Sequence, residues 1–429
     1  MYLVQILSMK HLISLTTVLF LASKAFSFSA KLDVSMREVS SGKIKNLTLF
    51  SLMDLSSDHS QHFISSIAGF DGHKLEITID SAASSSHVIR PGDFYVEKVF
   101  NRFRVNAGYQ VISWGESFAF NPVDIINPVV SESIFETDVS RQKASSPLLS
   151  LLGTFENVDV SFILGATSPQ NINDTKEIFG FNQSSQDTVS FKSYASETLE
   201  PVGAIKPAIL IADKVDLSVF GAFHGARTPY FELESNSDGI FLRQVPTTNL
   251  SYGGGFSTTI LDTVLRGDAI HTRSFAPQSQ DARENENQND IDKNTAKFEY
   301  KNKVMDRSDI SAGMDQTFFF GNTSLTLGAQ VNQTTIDLSN QDTQSLNLLG
   351  FQALADFSST FSVRATLFGD VEDQNSYMSQ IETKWHSKVA SYYLDITSTT
   401  LKDRFLVSLP GENSGSYLLI TELGFVIHI

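Results

Sequence analysis

Residues of opposite charge on neighbouring stretches of the chain are the first candidates for a functional role, because they can pair with each other or bind a charged solute. Glu97 and Arg104 flank the short turn Asn101-Arg102, and this spacing makes them diagonal neighbours in a β-hairpin. Charged and amide side chains in such positions select solutes when they line a constriction. The alternative is a rigid hydrogen-bond network of ordinary wall residues. The candidate pore-lining residues are Glu97, Arg104, Asn106, Gln110 and Arg364.

A second group of candidates lies at the start of the long link 115–146. Residues 118–130 read FAFNPVDIINPVV, which is more apolar than a loop in water would be. This link is therefore predicted to fold inward, or to pack on the rim of a barrel, and to narrow its pore. The alternative is a capped outer loop that packs against neighbouring loops. Trp114 is also expected in an aromatic belt at a membrane interface. The candidate residues of the inward loop are Trp114, Glu116, Asp124 and Asn127.

Catalytic and metal-binding motifs are missing from the sequence. No HExxH, GxSxG, GxGxxG or P-loop spacing occurs, and without cysteine there is no thiolate ligand or nucleophile. His224 and His271, near the ends of predicted strands, are interpreted as plain polar positions. Residues 290–301 begin like an EF-hand but carry Thr295 and Lys301 where Gly and Glu are needed. We therefore expect no catalytic residue, no metal and no cofactor.

Composition narrows the class of protein further. The 429 residues carry a formal net charge of −16, which argues against nucleic acid as the main partner. Mean hydropathy is −0.07, too low for a helical membrane protein. The run LISLTTVLFLA at 12–22 has the length of a signal-peptide core, and cleavage is predicted after Ser27 or Ser29. The predicted domains are a cleaved signal peptide, 1–29, and a β-domain, 30–429; a membrane anchor is disfavoured by Lys24.

Apolar residues alternate with polar ones along the rest of the chain. Examples are the segments 75–80, 158–164, 325–331 and 361–367. With their flanks these stretches have nine to eleven residues, the length of a tilted transmembrane strand. The links between them alternate between very short turns and long polar segments. Outer-membrane barrels have this asymmetry, because their periplasmic turns are short and their outer loops long.

Counting strands between the links gives 18, with 16 as the alternative. The predicted strands begin near residues 44, 62, 73, 93, 103, 147, 158, 204, 215, 248, 263, 309, 323, 345, 360, 376, 388 and 415. An even number places both termini in the periplasm. A strand in lipid must pair every N–H and C=O, which only a closed sheet does. The predicted fold is a single all-β transmembrane antiparallel up-and-down β-barrel, whose size leaves a wet lumen.

One stretch carries a family resemblance. Residues 93–128 resemble a hairpin and loop of an uncharacterised porin-like family of proteobacterial outer-membrane β-barrels, similar in style to the alginate-export porin. The matching residues are Gly108, Gln110, Trp114, Gly115, Glu116, Asp124, Asn127 and Pro128. The last strand, 416–429, resembles the C-terminal strand that the barrel-assembly machinery reads, although Ile429 replaces the usual aromatic residue. The resemblance implies an outer-membrane channel in a Gram-negative bacterium.

The sequence thus predicts a porin-like channel for passive passage or export of a polar or amphipathic solute. Expected partners are outer-membrane lipid and lipopolysaccharide, the barrel-assembly machinery and a small solute. The alternative is a plugged or structural barrel that acts as an adhesin, an anchor or a partner of a periplasmic lipid-handling protein. A barrel enzyme ranks last because no catalytic constellation is present.

Overall fold

Strands are the regular elements throughout the described part of this protein. The computed structural model describes residues 28–43, 57–70, 73–82, 87–115, 117, 121–128, 143–167, 189–192, 200–212, 214–225, 230–236, 239–245, 247–276, 302–338, 343–372, 377–387, 390–399 and 416–428. Within these ranges, no helix has the length and hydropathy that a membrane-crossing helix needs.

The strands are numbered in chain order. They are β1 (Phe28–Lys43), β2 (Ser57–Phe70), β3 (His73–Ala82), β4 (His87–Phe100), β5 (Phe103–Gln110), β6 (Ser146–Phe155), β7 (Val158–Thr167), β8 (Val189–Lys192), β9 (Glu200–Ile211), β10 (Val215–Gly225), β11 (Tyr230–Asn236), β12 (Gly239–Val245), β13 (Thr248–Ile260), β14 (Thr263–Ala276), β15 (Asn302–Phe320), β16 (Thr323–Leu338), β17 (Gln344–Ser358), β18 (Phe361–Asp370), β19 (Tyr377–His386), β20 (Ala390–Thr399) and β21 (Ser416–His428).

Eighteen of the described strands form one antiparallel sheet in up-and-down order. Each strand pairs with the strands that precede and follow it in this sheet, and β7 pairs with β9 and β10 with β13 across the intervening links. β1 pairs both with β2 and with β21. β8, β11 and β12 form a separate small sheet in which β11 and β12 make a hairpin and β8 is parallel to β12.

Short turns join the strands at one edge of the large sheet. Asn101, Glu156 and Gly321 have positive φ angles of 49°, 41° and 63° at turns between paired strands, as the twist of tight hairpins requires. Phe28 pairs with Phe70 and His428 with Lys31, so the first and last described residues of the sheet lie at this same edge. The links at the opposite edge include the long ones.

The predicted all-β, antiparallel up-and-down fold is confirmed. Several strands begin at the predicted residue, namely β3, β5, β7, β10, β13, β14 and β16. The predicted first strand near residue 44 begins outside the described residues, which resume at residue 57, and the described strand β1, Phe28–Lys43, was not predicted. The predicted long link 82–92 is also wrong: β4 begins at His87 and pairs with β3. The predicted signal peptide lies outside the described residues, except that its last two positions begin β1.

Candidate functional site

The large sheet carries apolar side chains on one face and polar side chains on the other. On β15, Ile310 is 55% exposed whereas its neighbour Ser311 is 2% exposed. The same alternation sets exposed Val331 beside buried Gln330 on β16. We call these two faces the exposed face and the covered face. The distribution is the reverse of a soluble sheet, in which apolar side chains are the ones removed from water.

The exposed apolar residues form a band of limited height. On β15 they begin at Ile310, include Met314 and Phe318, and end at Phe320. About ten residue steps of roughly 3.3 Å each span roughly 33 Å along the strand. At the tilt of about 40° that is typical of strands in transmembrane barrels, the band would be roughly 25 Å high.

The β4–β5 hairpin brings three of the predicted pore-lining residues together on the covered face. Its register pairs Phe100 with Phe103 and Glu97 with Asn106. Arg104 Nε lies 3.7 Å from Glu97 Oε2, and the Arg104 side chain is 55% exposed. With its amide nitrogen turned toward the same carboxylate, Asn106 donates to Glu97 Oε2 at 3.3 Å. The geometry therefore places one carboxylate beside a cation and a neutral hydrogen-bond donor.

We expect the Glu97–Arg104 pair to contribute little to stability. An exposed ion pair gains little Coulomb energy in water, so Glu97→Gln should lower the free energy of unfolding by less than about 1 kcal/mol. Urea titration of the protein folded into lipid vesicles would measure this. The matched control is Arg104→Gln, which should cost a similar amount. A loss of several kcal/mol from either variant would contradict the assignment of an exposed pair.

Gln110 lies apart from this group and is buried in the sheet. Its Nε2 donates to Leu148 O at 2.8 Å, and its Oε1 accepts a hydrogen bond from Ser150 Oγ at 2.8 Å. Both partners belong to β6, so Gln110 ties the end of β5 to the next strand. Its pore-lining role stays a prediction.

Arg364 lies on the covered face of β18, far along the sheet from the β4–β5 hairpin. Its Nη1 is 3.4 Å from Glu382 Oε2 on β19. Lys384 Nζ lies 2.6 Å from the other oxygen of Glu382. One carboxylate thus bridges two cations on this part of the sheet.

Asn127 joins the two ends of the loop between β5 and β6. Its Oδ1 accepts the backbone N–H of Ile112 at 2.7 Å, and its Nδ2 donates to Gln110 O at 2.8 Å and to Ala144 O at 3.0 Å. Ile112 and Gln110 leave β5, whereas Ala144 enters β6. Because the side chain is completely buried, these bonds are shielded from competing water and fix the base of the loop.

The β5–β6 loop also contains a buried ion pair. Lys143 Nζ contacts Asp124 Oδ1, with the Lys143 side chain 0% exposed. The same carboxylate accepts Ser113 Oγ at 3.1 Å and the backbone N–H of Trp114 at 3.3 Å. Asp124 was predicted as a residue of an inward loop. It is enclosed within the loop, where its cation and its hydrogen bonds compensate its burial.

The apolar part of the loop packs on an apolar patch of the covered face. Trp114 is 5% exposed and its ring lies 5.7 Å from the Phe220 ring of β10. Lys206 Nζ lies over the Trp114 ring, 5.9 Å from its centre. The predicted position of Trp114 in an aromatic belt is therefore wrong. The buried cluster also contains Val123, Ile125, Ile126, Leu148, Ile163, Val202, Ala204, Ala222 and Ile270.

The far end of the loop contacts strands β14 and β15. Ser117 donates to Asp268 Oδ2 twice, from its backbone N–H at 3.0 Å and from its Oγ at 2.6 Å. The Oγ also lies 2.7 Å from Ser311 Oγ. Gly255 pairs with Asp268 in the register, and a Cβ at position 255 would overlap the Asp268 carboxylate. The glycine therefore provides the space that the anchor occupies. Glu116, the remaining predicted loop residue, lies outside the described residues.

Sequence reasoning missed the residues that hold this loop, Ser117, Lys143 and Asp268. Each is a common residue type in a polar stretch, and their partners are up to 151 positions away in the chain. One signal was present: the triple glycine 253–255 in a strand indicates a close approach of some other group. Its partner was not deducible from spacing.

A serine–histidine pair is present but is enclosed. His224 Nδ1 lies 2.6 Å from Gly225 O, so this nitrogen carries the proton and donates. His224 Nε2 is then the acceptor for Ser251 Oγ at 2.8 Å. Ser251 is 0% exposed and also bonds Thr272 Oγ1. A lipid-cleaving barrel would need this pair on the exposed face, and here it lies on the covered one.

Comparisons with known proteins give similarity of fold only. No protein-family model and no curated protein sequence matches this chain. OccAB1 of Acinetobacter baumannii is 10% identical with a TM-score of 0.48, over 94% of this chain and 97% of that chain. The outer membrane protein OprD of Pseudomonas aeruginosa is 11% identical with a TM-score of 0.46, over 94% of both chains. OmpT, an outer membrane protein of Vibrio cholerae, is 10% identical with a TM-score of 0.45, over 94% of this chain and 99% of that chain. At these identities none of the similarities carries a substrate or an activity to this chain.

Proposed function

We propose that this chain is an outer-membrane β-barrel whose polar, narrowed interior lets a small polar or amphipathic solute pass down its gradient. The observation that carries the proposal is the reversed distribution of side chains in the large sheet. Apolar residues such as Ile310, Met314 and Val331 are more than half exposed, whereas the intervening polar residues are covered. In water the exposed band would be unfavourable, and in lipid it is the stable arrangement.

The strand pairing supports a closed barrel. β1 pairs with β21 over Lys31–Lys43, in addition to its pairing with β2. An open sheet edge in hydrocarbon would leave backbone N–H and C=O groups without partners, at several kcal/mol each. Pairing of the first and last strands removes that cost. With a typical strand tilt, the roughly 25 Å height of the apolar band is close to that of outer-membrane barrels.

The loop between β5 and β6 supports a narrowed interior. β5 and β14 are six positions apart in the sheet order, so a segment that leaves β5 and reaches Asp268 crosses the covered side of the sheet. It is fixed at its base by Asn127 and at its far end by Ser117. A loop fixed at both of these points reduces the cross-section of the barrel interior next to strands β6 to β14.

Single-channel conductance of residues 30–429, refolded and inserted into a planar bilayer, tests the proposed function. We expect stable, stepwise, ohmic openings, because the polar covered face would surround a wet path. Heat-modifiable migration in gel electrophoresis would show independently that the barrel is folded. Folded, inserted protein that never conducts would overturn the channel proposal.

A plugged or structural barrel is the second candidate, and one observation favours it. The β5–β6 loop is anchored at both ends, and many covered polar residues, such as Ser311 and Gln330, are almost fully buried. A silent but folded barrel in the conductance experiment would support this candidate. Lipid, lipopolysaccharide and the barrel-assembly machinery are proposed partners under both candidates, with the edge of short turns in the periplasm.

A further inference from the structure

A second serine–histidine pair lies on the exposed face of the large sheet. His271 of β14 pairs directly with Ser308 of β15 in the antiparallel register, and His271 Nδ1 lies 2.9 Å from Ser308 Oγ. Both residues are partly exposed, whereas Ser251, the partner of His224, is fully enclosed. From the sequence His271 was interpreted as a plain polar position. Its partner is 37 positions away in the chain, and only the folded sheet brings the two side chains together.

The pair lies at one boundary of the exposed apolar band. Ser308 precedes Ile310 by two residues, so it is the neighbour on the same face of the residue at which the band begins on β15. His271 is eight residues beyond Thr263, where β14 leaves the edge of short turns, which is roughly 26 Å along the strand. With the short turns in the periplasm, this boundary lies in the outer leaflet, where acyl chains end and ester groups begin.

Tyr252 of β13 packs on the imidazole ring of this pair. It is the register partner of His271, and the two ring centroids are 5.2 Å apart with planes inclined by 46°. Contact with a neighbouring aromatic ring limits rotation of the imidazole, so Nδ1 stays directed at Ser308 Oγ. A histidine nitrogen that accepts a serine O–H can serve as the general base that makes the serine a nucleophile.

A cation lies on the outer side of the pair. Arg273 is two residues beyond His271 on the same face of β14, and its side chain is 49% exposed. Its Nε donates to Asp306 Oδ1 at 3.2 Å, which leaves its terminal nitrogens directed away from that bond. Guanidinium nitrogens bind phosphate oxygens strongly. A phosphate held at Arg273 places the ester groups of the same lipid on the side of Ser308.

We propose that Ser308 and His271 hydrolyse an acyl ester of a phospholipid. Ser308 Oγ attacks the ester carbonyl carbon while its proton passes to His271 Nδ1. The bond between that carbon and the alcohol oxygen then breaks, and the alcohol leaves with the proton from His271. A water molecule next gives a proton to Nδ1 and attacks the acyl-serine. The fatty acid is released, and Ser308 Oγ regains its proton from His271.

This activity goes beyond the proposed channel and does not require conduction. Ser308 and His271 lie on the opposite face of the sheet from the covered polar side chains, along which a solute would pass. The activity requires only that the exposed face contacts lipid. A silent but folded barrel would therefore count against the channel and leave the hydrolysis testable.

The test uses residues 30–429 refolded into vesicles of phosphatidylethanolamine and phosphatidylglycerol. We expect release of fatty acid, and labelling of Ser308 by a fluorophosphonate probe, located by mass spectrometry of peptides. Ser308→Ala should abolish both. His271→Asn should slow the release about 10²–10⁴-fold, the range for loss of a general base. Ether-linked lipids with the same headgroups should give no product, because they lack the carbonyl carbon.

Arg273→Gln tests the role of the cation in positioning the lipid. It should lower the rate on phospholipid about tenfold, the effect of one lost charge-assisted hydrogen bond, and it should do so through KM rather than kcat. Hydrolysis of uncharged diacylglycerol should be nearly unchanged in this variant. An equal loss with both lipids would contradict a phosphate contact at Arg273.

Ser251→Ala is the matched control, because Ser251 also contacts a histidine but is enclosed on the covered face. It should leave fatty-acid release and labelling unchanged. Unaltered heat-modifiability would show that each variant is folded. Folded wild-type protein that neither releases fatty acid nor is labelled at Ser308 would overturn the proposal, as would equal rates for Ser308→Ala and wild type.

Discussion

Lys143→Met is expected to destabilise docking of the β5–β6 loop by about 3–5 kcal/mol, because it leaves the Asp124 carboxylate buried without its cation. The rest of the barrel is held by the strand ladder and should stay folded. The loop would leave the covered face and Trp114 would become accessible. Trp114 fluorescence measures this: emission should shift to longer wavelength and acrylamide quenching should increase.

The measurement is made in a Trp385→Phe background. Trp385 is the second of the two tryptophans and is 64% exposed, so its emission would mask the change. Asp124→Asn combined with Lys143→Met is the control, since it removes both charges and should be less destabilised than Lys143→Met alone. Equal emission spectra for Lys143→Met and the parent protein would show that the pair does not hold the loop.

Asp268→Ala is expected to release the far end of the same loop. Ser117 would lose two hydrogen bonds to a carboxylate, each contributing about 1.5–3 kcal/mol. The released state should therefore gain at least about tenfold in population. In single-channel recordings we expect additional, larger conductance levels and stronger current fluctuations. If the wild-type barrel is silent, this variant is the one expected to conduct.

Asp356→Asn is the matched control for the Asp268 experiment. Asp356 also lies on the covered face, where it accepts Ser324 Oγ at 3.1 Å, and it belongs to β17, outside the described contacts of the loop. It should leave the conductance levels unchanged. Ser117→Ala keeps the backbone N–H bond and should have a smaller effect than Asp268→Ala. Identical recordings for Asp268→Ala and wild type would contradict the proposal that the Ser117–Asp268 contact holds the β5–β6 loop in place.

Much of the fold was predictable because strand pairing in a hairpin is local. Alternating residues indicate which face each side chain takes, and a short turn fixes the register of the two strands beside it. The prediction that Glu97 and Arg104 are diagonal neighbours across the turn at 101–102 followed from that rule, and it is confirmed by the register, in which Val99 pairs with Arg104. The start of β1 and the small sheet of β8, β11 and β12 were missed, because these segments were assigned to the terminus and to long links, and β8 pairs with β12 only across such a link.

The candidate site was predictable only where it depends on one hairpin. Glu97 and Arg104 are neighbours across a turn, and they lie within ion-pair distance as expected. Asp124 and Trp114 were predicted as residues of an inward loop, but their partners Lys143 and Phe220 were not predicted.

The class of fold, the strand order and the apolar face of each strand can be predicted from the amino-acid pattern alone. These properties depend on the two-residue period of a strand and on turn geometry, both of which act over a few residues. The position of the β5–β6 loop across the covered face, with contacts to Asp268 and Asn127, is evident only from the folded structure. Those contacts join residues far apart in the chain, and they depend on shape, burial and charge that appear only when the sheet has formed.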